Sequence, residues 1–158
     1  MTAARIGLGL TVIAAIVGFA GSGEAKPKAM APSGVSMPAT DIIAGRQAGM
    51  LMSAASVGAM KAAIDRGEDP KTLSFAATGL AAWAKAVGGQ FPKGSEGGAA
   101  KGAVWSDAAG FKAAADQYAA DSATLVDAAK SGDKAKFTDS LSKVRTNCAA
   151  CHGKYKEG

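Results

Sequence analysis

Hydrophobic residues recur at spacings of three and four through most of the chain after residue 39, which is the period of an α-helix. In the first helical segment, Arg46 and Met50 share the apolar stripe. The pattern divides into four segments, which open on residues that cap helices and of which three close on glycine. These are Thr40 and Asp41 to Gly67, Asp69 and Pro70 to Gly88 and Gly89, Ser106 and Asp107 to Gly132, and Asp133 onward.

The connections between these segments predict how the helices are arranged. Two are short, and one, residues 88–103, is long and too rich in glycine for regular structure. Short links join antiparallel neighbours, so the fold class is all-α, an antiparallel up-down four-helix bundle. The apolar stripes are padded with alanine and glycine rather than leucine and phenylalanine. Such helices either approach each other closely or leave a space for a large apolar group.

The N-terminus differs from the rest of the chain. Residues 1–25 contain one basic residue, Arg5, followed by an apolar run of about fifteen residues and small residues near Ala25. This pattern predicts a secretory signal peptide, because a membrane span needs about 20 apolar residues; an uncleaved membrane anchor is the alternative. Residues 26–38 predict a flexible lead-in, and residues 39–158 the working domain. We therefore expect a periplasmic protein that has no membrane contact after cleavage of the signal.

The chain carries a net charge of +5, but its basic residues occur singly, with no block of five like charges. This pattern argues against a nucleic-acid partner. A mildly basic surface suits an acidic redox partner protein, and it equally describes an ordinary solvated face.

The only two cysteines and the only histidine lie together as Cys148, Cys151 and His152, near the end of the fourth segment. Three chemistries use such a run. A redox dithiol or disulfide belongs at the start of a helix, where the dipole lowers a thiol pKa, and this pair lies at the end of one. A structural zinc site needs four ligands, and the chain offers no further cysteine or histidine.

Covalent attachment of haem c explains the whole run. In C-x-x-C-H each thiol adds to a vinyl group and the histidine coordinates iron. Residues three and four apart share one helical face, so Cys148, Cys151 and His152 meet a single porphyrin. The porphyrin would also be the large apolar group that the thin helical stripes lack.

At this point the sequence resembles a known family, cytochrome c′, the class II c-type cytochromes. The likeness covers about residues 41–157 and rests on "AGRQAGM" in the first helix, "FPKGSEGG" and "VWSDAAGFK" around the long loop, and "CAACHGKYK". It implies a four-helix bundle, often a homodimer, with one haem near one end. By this likeness Cys148 and Cys151 form the thioethers and His152 is the axial ligand to iron. The likeness also places further residues near the haem: Arg46 and Gln47 at its edge, where a guanidinium suits a propionate, and Ser95 and Glu96 in the loop that approaches it.

Met50 falls where relatives place the residue that covers the other face of the iron. Low-spin relatives carry an axial methionine about five residues before the arginine, and Asp41 stands there in this chain. The sequence therefore favours a five-coordinate, high-spin iron with Met50 as a lid. We expect Fe(III)/Fe(II) electron transfer, with NO or CO binding as a second function, and no enzymatic activity. The alternatives are a low-spin Met/His electron carrier and a dedicated NO-binding or scavenging protein.

Overall fold

The computed structural model describes residues 37–158, and the predicted signal peptide and most of the lead-in lie outside this range. Four long helices form an antiparallel up-down bundle, and no β-strand occurs within residues 37–158. The described range contains no helix with the length and apolar character needed to cross a membrane. The helices are α1 (Ala39–Asp65), α2 (Ser74–Ala86), the short α3 (Ala103–Ser106), α4 (Ala108–Ser131) and α5 (Lys134–Tyr155), with 3-10 turns at Pro70–Leu73 and Val87–Gln90.

Most of the predicted helix ends are confirmed by their capping bonds. Asp69 accepts a hydrogen bond from the backbone N–H of Lys71 at 2.9 Å, directly before the 3-10 turn that leads into α2. Asp133 caps α5 in the same way through the N–H of Lys136 at 3.0 Å. Gly132 ends α4 with a φ of 75°, a backbone conformation that favours glycine.

Three local predictions need correction. The first helix begins at Ala39, so Thr40 and Asp41 lie inside its first turn and neither side chain caps it. Of the predicted pair before the third long helix, only Asp107 caps α4, because Ser106 is the last residue of α3. The glycine-rich connection is not irregular throughout, since it starts as the 3-10 turn Val87–Gln90.

The buried side chains form two separate clusters, one toward each end of the bundle. Within the bundle α4 packs against α2 and α5, and α1 packs against α2 and α5. The larger cluster contains Met60, Leu80, Leu125, Phe137, Leu141 and Val144, and Cys148 packs against it. The smaller contains Val104, Phe111 and Tyr155, and Cys151 packs against it. The two cysteines therefore lie where one cluster gives way to the other.

The alanine and glycine padding has both predicted consequences. At one level α1 and α2 approach so closely that a Cβ placed on Gly49 would overlap the indole of Trp83. Around Met50, the next residue of α1, the helices instead leave open space. This space lies between the two apolar clusters, beside the cysteines.

Candidate haem site

Two adjoining cavities, of about 320 and 430 Å³, lie between the helices where the cysteines face inward. Both are lined by Met50 from α1, Phe111 from α4, and Cys151 and His152 from α5, and Cys148 lines the larger one. These volumes exceed the roughly 30 Å³ that one water occupies by an order of magnitude. The structure thus brings the three residues of the C-x-x-C-H run together with Met50 around one apolar space.

The donor set in this space suits haem c. Cys148 and Cys151 are not joined by a disulfide and are both half-buried. Burial raises the pKa of both thiols, and the neighbouring Cys148 raises that of Cys151 further. His152 is exposed, and the partial burial that remains, followed by the charge of Lys156, lowers its pKa, which favours the neutral imidazole that coordinates metals. Two thiols and a neutral imidazole on an apolar wall match the requirements of a covalently held porphyrin.

Arg46 is buried at one edge of the smaller cavity, with only 3% of its surface exposed. Its Nη1 donates to the carbonyl oxygen of Ser95 at 2.7 Å and to the Ser95 hydroxyl at 3.1 Å, and its Nη2 donates to the carbonyl of Gly97 at 2.7 Å. The guanidinium also lies 4.7 Å from the ring centroid of Phe91. Arg46 is therefore not a surface charge, and both of its terminal nitrogens bind the long loop.

The other predicted loop residues divide between buried and exposed positions. Ser95 is 1% exposed, and its hydroxyl donates to the carbonyl of Pro92 at 2.7 Å. Glu96 is exposed and accepts a hydrogen bond from the N–H of Gly94 at 3.1 Å, the largest cause that lowers its carboxyl pKa. Gln47 is exposed and lines the smaller cavity. Ser95 thus holds the loop, whereas Glu96 faces solvent.

The long loop is also tied to the end of α5, beside the histidine. The N–H of Lys101 donates to the carbonyl of Tyr155 at 3.0 Å, and the N–H of Glu157 donates to the carbonyl of Ala99 at 2.9 Å. The Tyr155 hydroxyl donates to Asp107 at 2.9 Å, and the same carboxylate pairs with Lys154 at 2.6 Å. These contacts fix the segment that follows His152 against the start of α4.

Sequence reasoning missed the aromatic wall of the site. The ring of Phe111 stacks edge-on against Phe91, with centroids 4.9 Å apart, and against Tyr155 at 5.3 Å. The Trp105 indole N–H donates to the carbonyl of Phe91 at 3.2 Å. In the sequence Phe111 and Tyr155 stand 44 positions apart, so only the helical stripe of α4 and the aromatic residue after the C-x-x-C-H run pointed toward them.

Tyr118 of α4 is a further cavity residue that the sequence marked only as part of an apolar stripe. It lines the larger cavity with Cys148 and packs against the larger core cluster. Burial, followed by the neighbouring Cys148, raises the pKa of Tyr118 to about 12, and the Ser53 hydroxyl opposes the rise. The wall of the larger cavity is therefore not purely apolar, because it includes the phenol group of Tyr118.

The comparisons with known proteins agree with this geometry. Residues 41–156 match the family model described as Cytochrome C'. A cytochrome c' of Rubrivivax gelatinosus is 52% identical over 58 residues, 37% of this chain and 45% of the relative. A cytochrome c-556 of Agrobacterium tumefaciens is 36% identical over 115 residues, which cover 70% of this chain and 93% of that protein.

Solved structures give the same answer at the level of the fold. A ferrous variant of Alcaligenes xylosoxidans cytochrome c prime with bound NO superposes with a TM-score of 0.73 at 27% identity, covering 78% of this chain and 98% of that one. A carbon monoxide-bound variant of the same protein gives 0.72, also at 27% identity, over 77% and 98%. The cavity, the C-x-x-C-H residues that line it and the family match together show that this chain belongs to the cytochrome c′ family and carries covalently attached haem c.

Proposed function

We propose that the protein is an exported electron carrier and gas-binding haem protein rather than an enzyme. In this proposal Cys148 and Cys151 hold the porphyrin through thioethers and His152 is the axial ligand. The observation that carries it is the meeting of both cysteines, His152 and Met50 around adjoining apolar cavities. When bound, the haem supplies a one-electron Fe(III)/Fe(II) couple and a coordination position for NO or CO.

The residues at the edge of the smaller cavity have different roles in this proposal. Arg46 holds Ser95 and Gly97 and adds a buried positive charge that suits a propionate. Gln47 lines the same edge with an uncharged amide. Burial lowers the pKa of the Arg46 guanidinium, and the nearby Glu96 carboxylate opposes this shift and offsets part of the positive charge.

Met50 is proposed as a lid over a five-coordinate, high-spin iron. It lines both cavities together with His152, whereas Asp41 lies exposed in the first turn of α1. A thioether without branching fills such a gap and moves aside for a small neutral ligand. The solved relatives with bound NO and with bound CO support gas binding by this chain.

The test combines spectra with a matched pair of variants. We expect the purified protein to keep its haem after denaturation, to show a high-spin spectrum and to bind CO in the ferrous state. Met50→Ala should keep the high-spin spectrum and speed CO association. Phe75→Ala, a change on α2 at a residue that is 91% exposed and lines neither cavity, should leave both unchanged. A low-spin spectrum that becomes high-spin only in Met50→Ala would instead establish Met/His ligation, and loss of haem on denaturation would refute the site assignment.

A homodimer through α1 is the second part of this proposal. The exposed face of α1 carries no charged side chain between Gln47 and Met60, and Leu51 is 73% exposed. The face consists of small and apolar residues: Ala44, Gly45, Ala48, Leu51, Met52, Ala55, Gly58 and Ala59. Two copies of a chain with a net charge of +5 meet most easily through such an uncharged face.

Sedimentation of the holoprotein tests this arrangement. We expect a dimer that Ala55→Glu converts to monomers, because each copy would place a carboxylate in the apolar contact, and Ala55 lines neither cavity of the haem site. Ala123→Glu, on the exposed side of α4, should leave the dimer intact. A monomeric wild-type protein at all concentrations, or equal effects of the two variants, would contradict the α1 interface.

A further inference from the structure

The net charge of the chain is concentrated on the helix that carries the C-x-x-C-H residues. With His152 neutral, α5 has five basic residues and one acidic residue, a net charge of +4 out of +5 for the whole chain. By the same count α1 is neutral and α4 is −1. The charged residues of α5 are Lys134, Lys136, Lys143, Arg145 and Lys154, against Asp139. Basic residues that occur singly in the sequence therefore accumulate on one helix of the bundle.

Along the C-terminal half of α5, the outermost residues are small. They are exposed and fall on one side of the helix at 3.6 residues per turn. We call this side the α5 ridge, and it consists of Ser142, Thr146, Ala149, Ala150 and Gly153. The same periodicity places Lys143 and Lys154 along one flank of the ridge and Arg145 along the other. The buried side of the same turns carries Cys148 and Cys151.

The charges near the ridge remain predominantly positive after pairing. Two acidic residues lie next to lysines at this end of the helix. The Asp107 carboxylate is 2.6 Å from Lys154 Nζ, and Glu157 is the residue after Lys156. Within residues 37–158, Lys143 and Arg145 form no ion pair. Lys101 adds a further cation, because its Nζ donates to the carbonyl of Gly153 at 3.3 Å.

We propose that the α5 ridge and its flanking cations form the docking surface for an acidic one-electron redox protein. This inference rests on the proposed electron-transfer function. Small side chains let the surface of a partner approach the backbone of α5 closely, and the thioether cysteines lie on the other side of that backbone. Lys143, Arg145 and Lys101 attract an acidic surface and orient it toward the ridge. One electron passes between the iron and the redox centre of the partner, one being oxidised as the other is reduced, and no proton or bond changes.

Electron exchange of the holoprotein with inorganic complexes tests the charge of this surface. Hexacyanoferrate(III) serves as the anionic probe and hexaammineruthenium(III) as the cationic probe, with stopped-flow rates recorded from low to high ionic strength. We expect the hexacyanoferrate rate to fall as salt is added and the ruthenium rate to rise. Lys143→Glu combined with Lys101→Glu, two changes at residues that line neither cavity, should lower the hexacyanoferrate rate about tenfold at low salt.

The matched control makes the same change in net charge elsewhere. Lys71→Glu combined with Lys130→Glu alters two exposed residues beside the turn before α5, at the opposite end of that helix from Cys151. We expect this pair to change the hexacyanoferrate rate by less than about twofold. Equal losses in the two pairs would overturn the inference, since the rate would then report net charge alone, and so would a rate that no variant changes.

The failure of the inference is separable from the failure of the proposed function. Three properties are measured on the wild type and on both double variants, each of which lowers the net charge by about four units. They are covalent attachment of haem, reversible reduction and the CO difference spectrum. A wild-type protein without a reversible couple refutes electron transfer itself. A normal Fe(III)/Fe(II) couple, together with equal losses of the hexacyanoferrate rate in the ridge variant and the control variant, refutes only the docking surface.

Discussion

Arg46 offers the sharpest test of how the site is held together. Its guanidinium makes three hydrogen bonds to Ser95 and Gly97, which stand 49 and 51 positions later in the chain. We expect Arg46→Ala to release the segment between Phe91 and Gly98 from α1. The helix itself should persist, because its own backbone bonds are untouched.

The size of the effect follows from these contacts. A hydrogen bond to a charged group contributes about 1.5–3 kcal/mol, and a buried carbonyl left without a donor costs about 1–3 kcal/mol. The released loop regains some hydration, and the stacking of Arg46 on Phe91 is also lost. We therefore expect the free energy of unfolding to fall by about 3–5 kcal/mol, which corresponds to a Tm lower by about 10–20 °C.

Denaturant unfolding of the holoprotein and limited trypsin digestion measure the two consequences. Lys93 is exposed in the loop that Arg46 holds, so cleavage after Lys93 should accelerate in Arg46→Ala. Arg46→Lys, which keeps the charge but loses the planar fork, should lie between the wild type and Arg46→Ala. Arg66→Ala is the control, because that exposed arginine pairs only with Glu68 and should cost below about 1 kcal/mol. Unchanged unfolding and unchanged cleavage in Arg46→Ala would refute the reasoning.

Two further predictions concern helix contacts and pH. Gly49→Ala should lower the free energy of unfolding by about 1–3 kcal/mol, because its methyl group would overlap Trp83. Gly79→Ala is the control, because its methyl group would enter open space and should raise the free energy of unfolding by up to about 1 kcal/mol. Equal effects of the two substitutions in thermal melts would argue against the close contact between α1 and α2. Asp133 caps α5, and the N–H of Lys136 is the largest cause that lowers its pKa below that of the unfolded chain. The ionised carboxylate of Asp133 therefore stabilises the fold above about pH 4, and this contribution is lost as the pH falls through the pKa of the folded protein. In Asp133→Asn the free energy of unfolding, measured between about pH 6 and 2, should therefore decrease less steeply as the pH is lowered.

The fold was largely predictable because its signals are local. Asp69 and Asp133 each cap a helical turn two or three residues away, and Gly132 adopts its left-handed conformation within one turn of α4. Such effects are written in adjacent residues and need no knowledge of the partner helices. The error at the start of α1 is of the same local kind, because the helix starts after Pro38 without a side-chain cap.

The site was predictable only in part. The crowding of Cys148, Cys151 and His152 indicated haem c, and the family resemblance supplied the loop residues. The role of Arg46 was not readable, because whether a guanidinium binds a propionate or a carbonyl depends on which backbone atoms the fold brings within 3 Å of it. The aromatic contacts of Phe111 and the polar edge of Tyr118 also depend on helices that are distant in sequence.

The sequence by itself determined the four helices, the candidate residues for haem attachment and the total charge, since each follows from composition and from spacings shorter than about two helical turns. The tertiary structure alone decided where alanine and glycine bring helices together and where they leave a cavity. It also decided that Arg46 is buried against a loop about 50 residues away, and that singly placed basic residues flank the exposed ridge of α5. The physical reason is that burial and side-chain pairing are properties of packed surfaces, which form only after the helices meet.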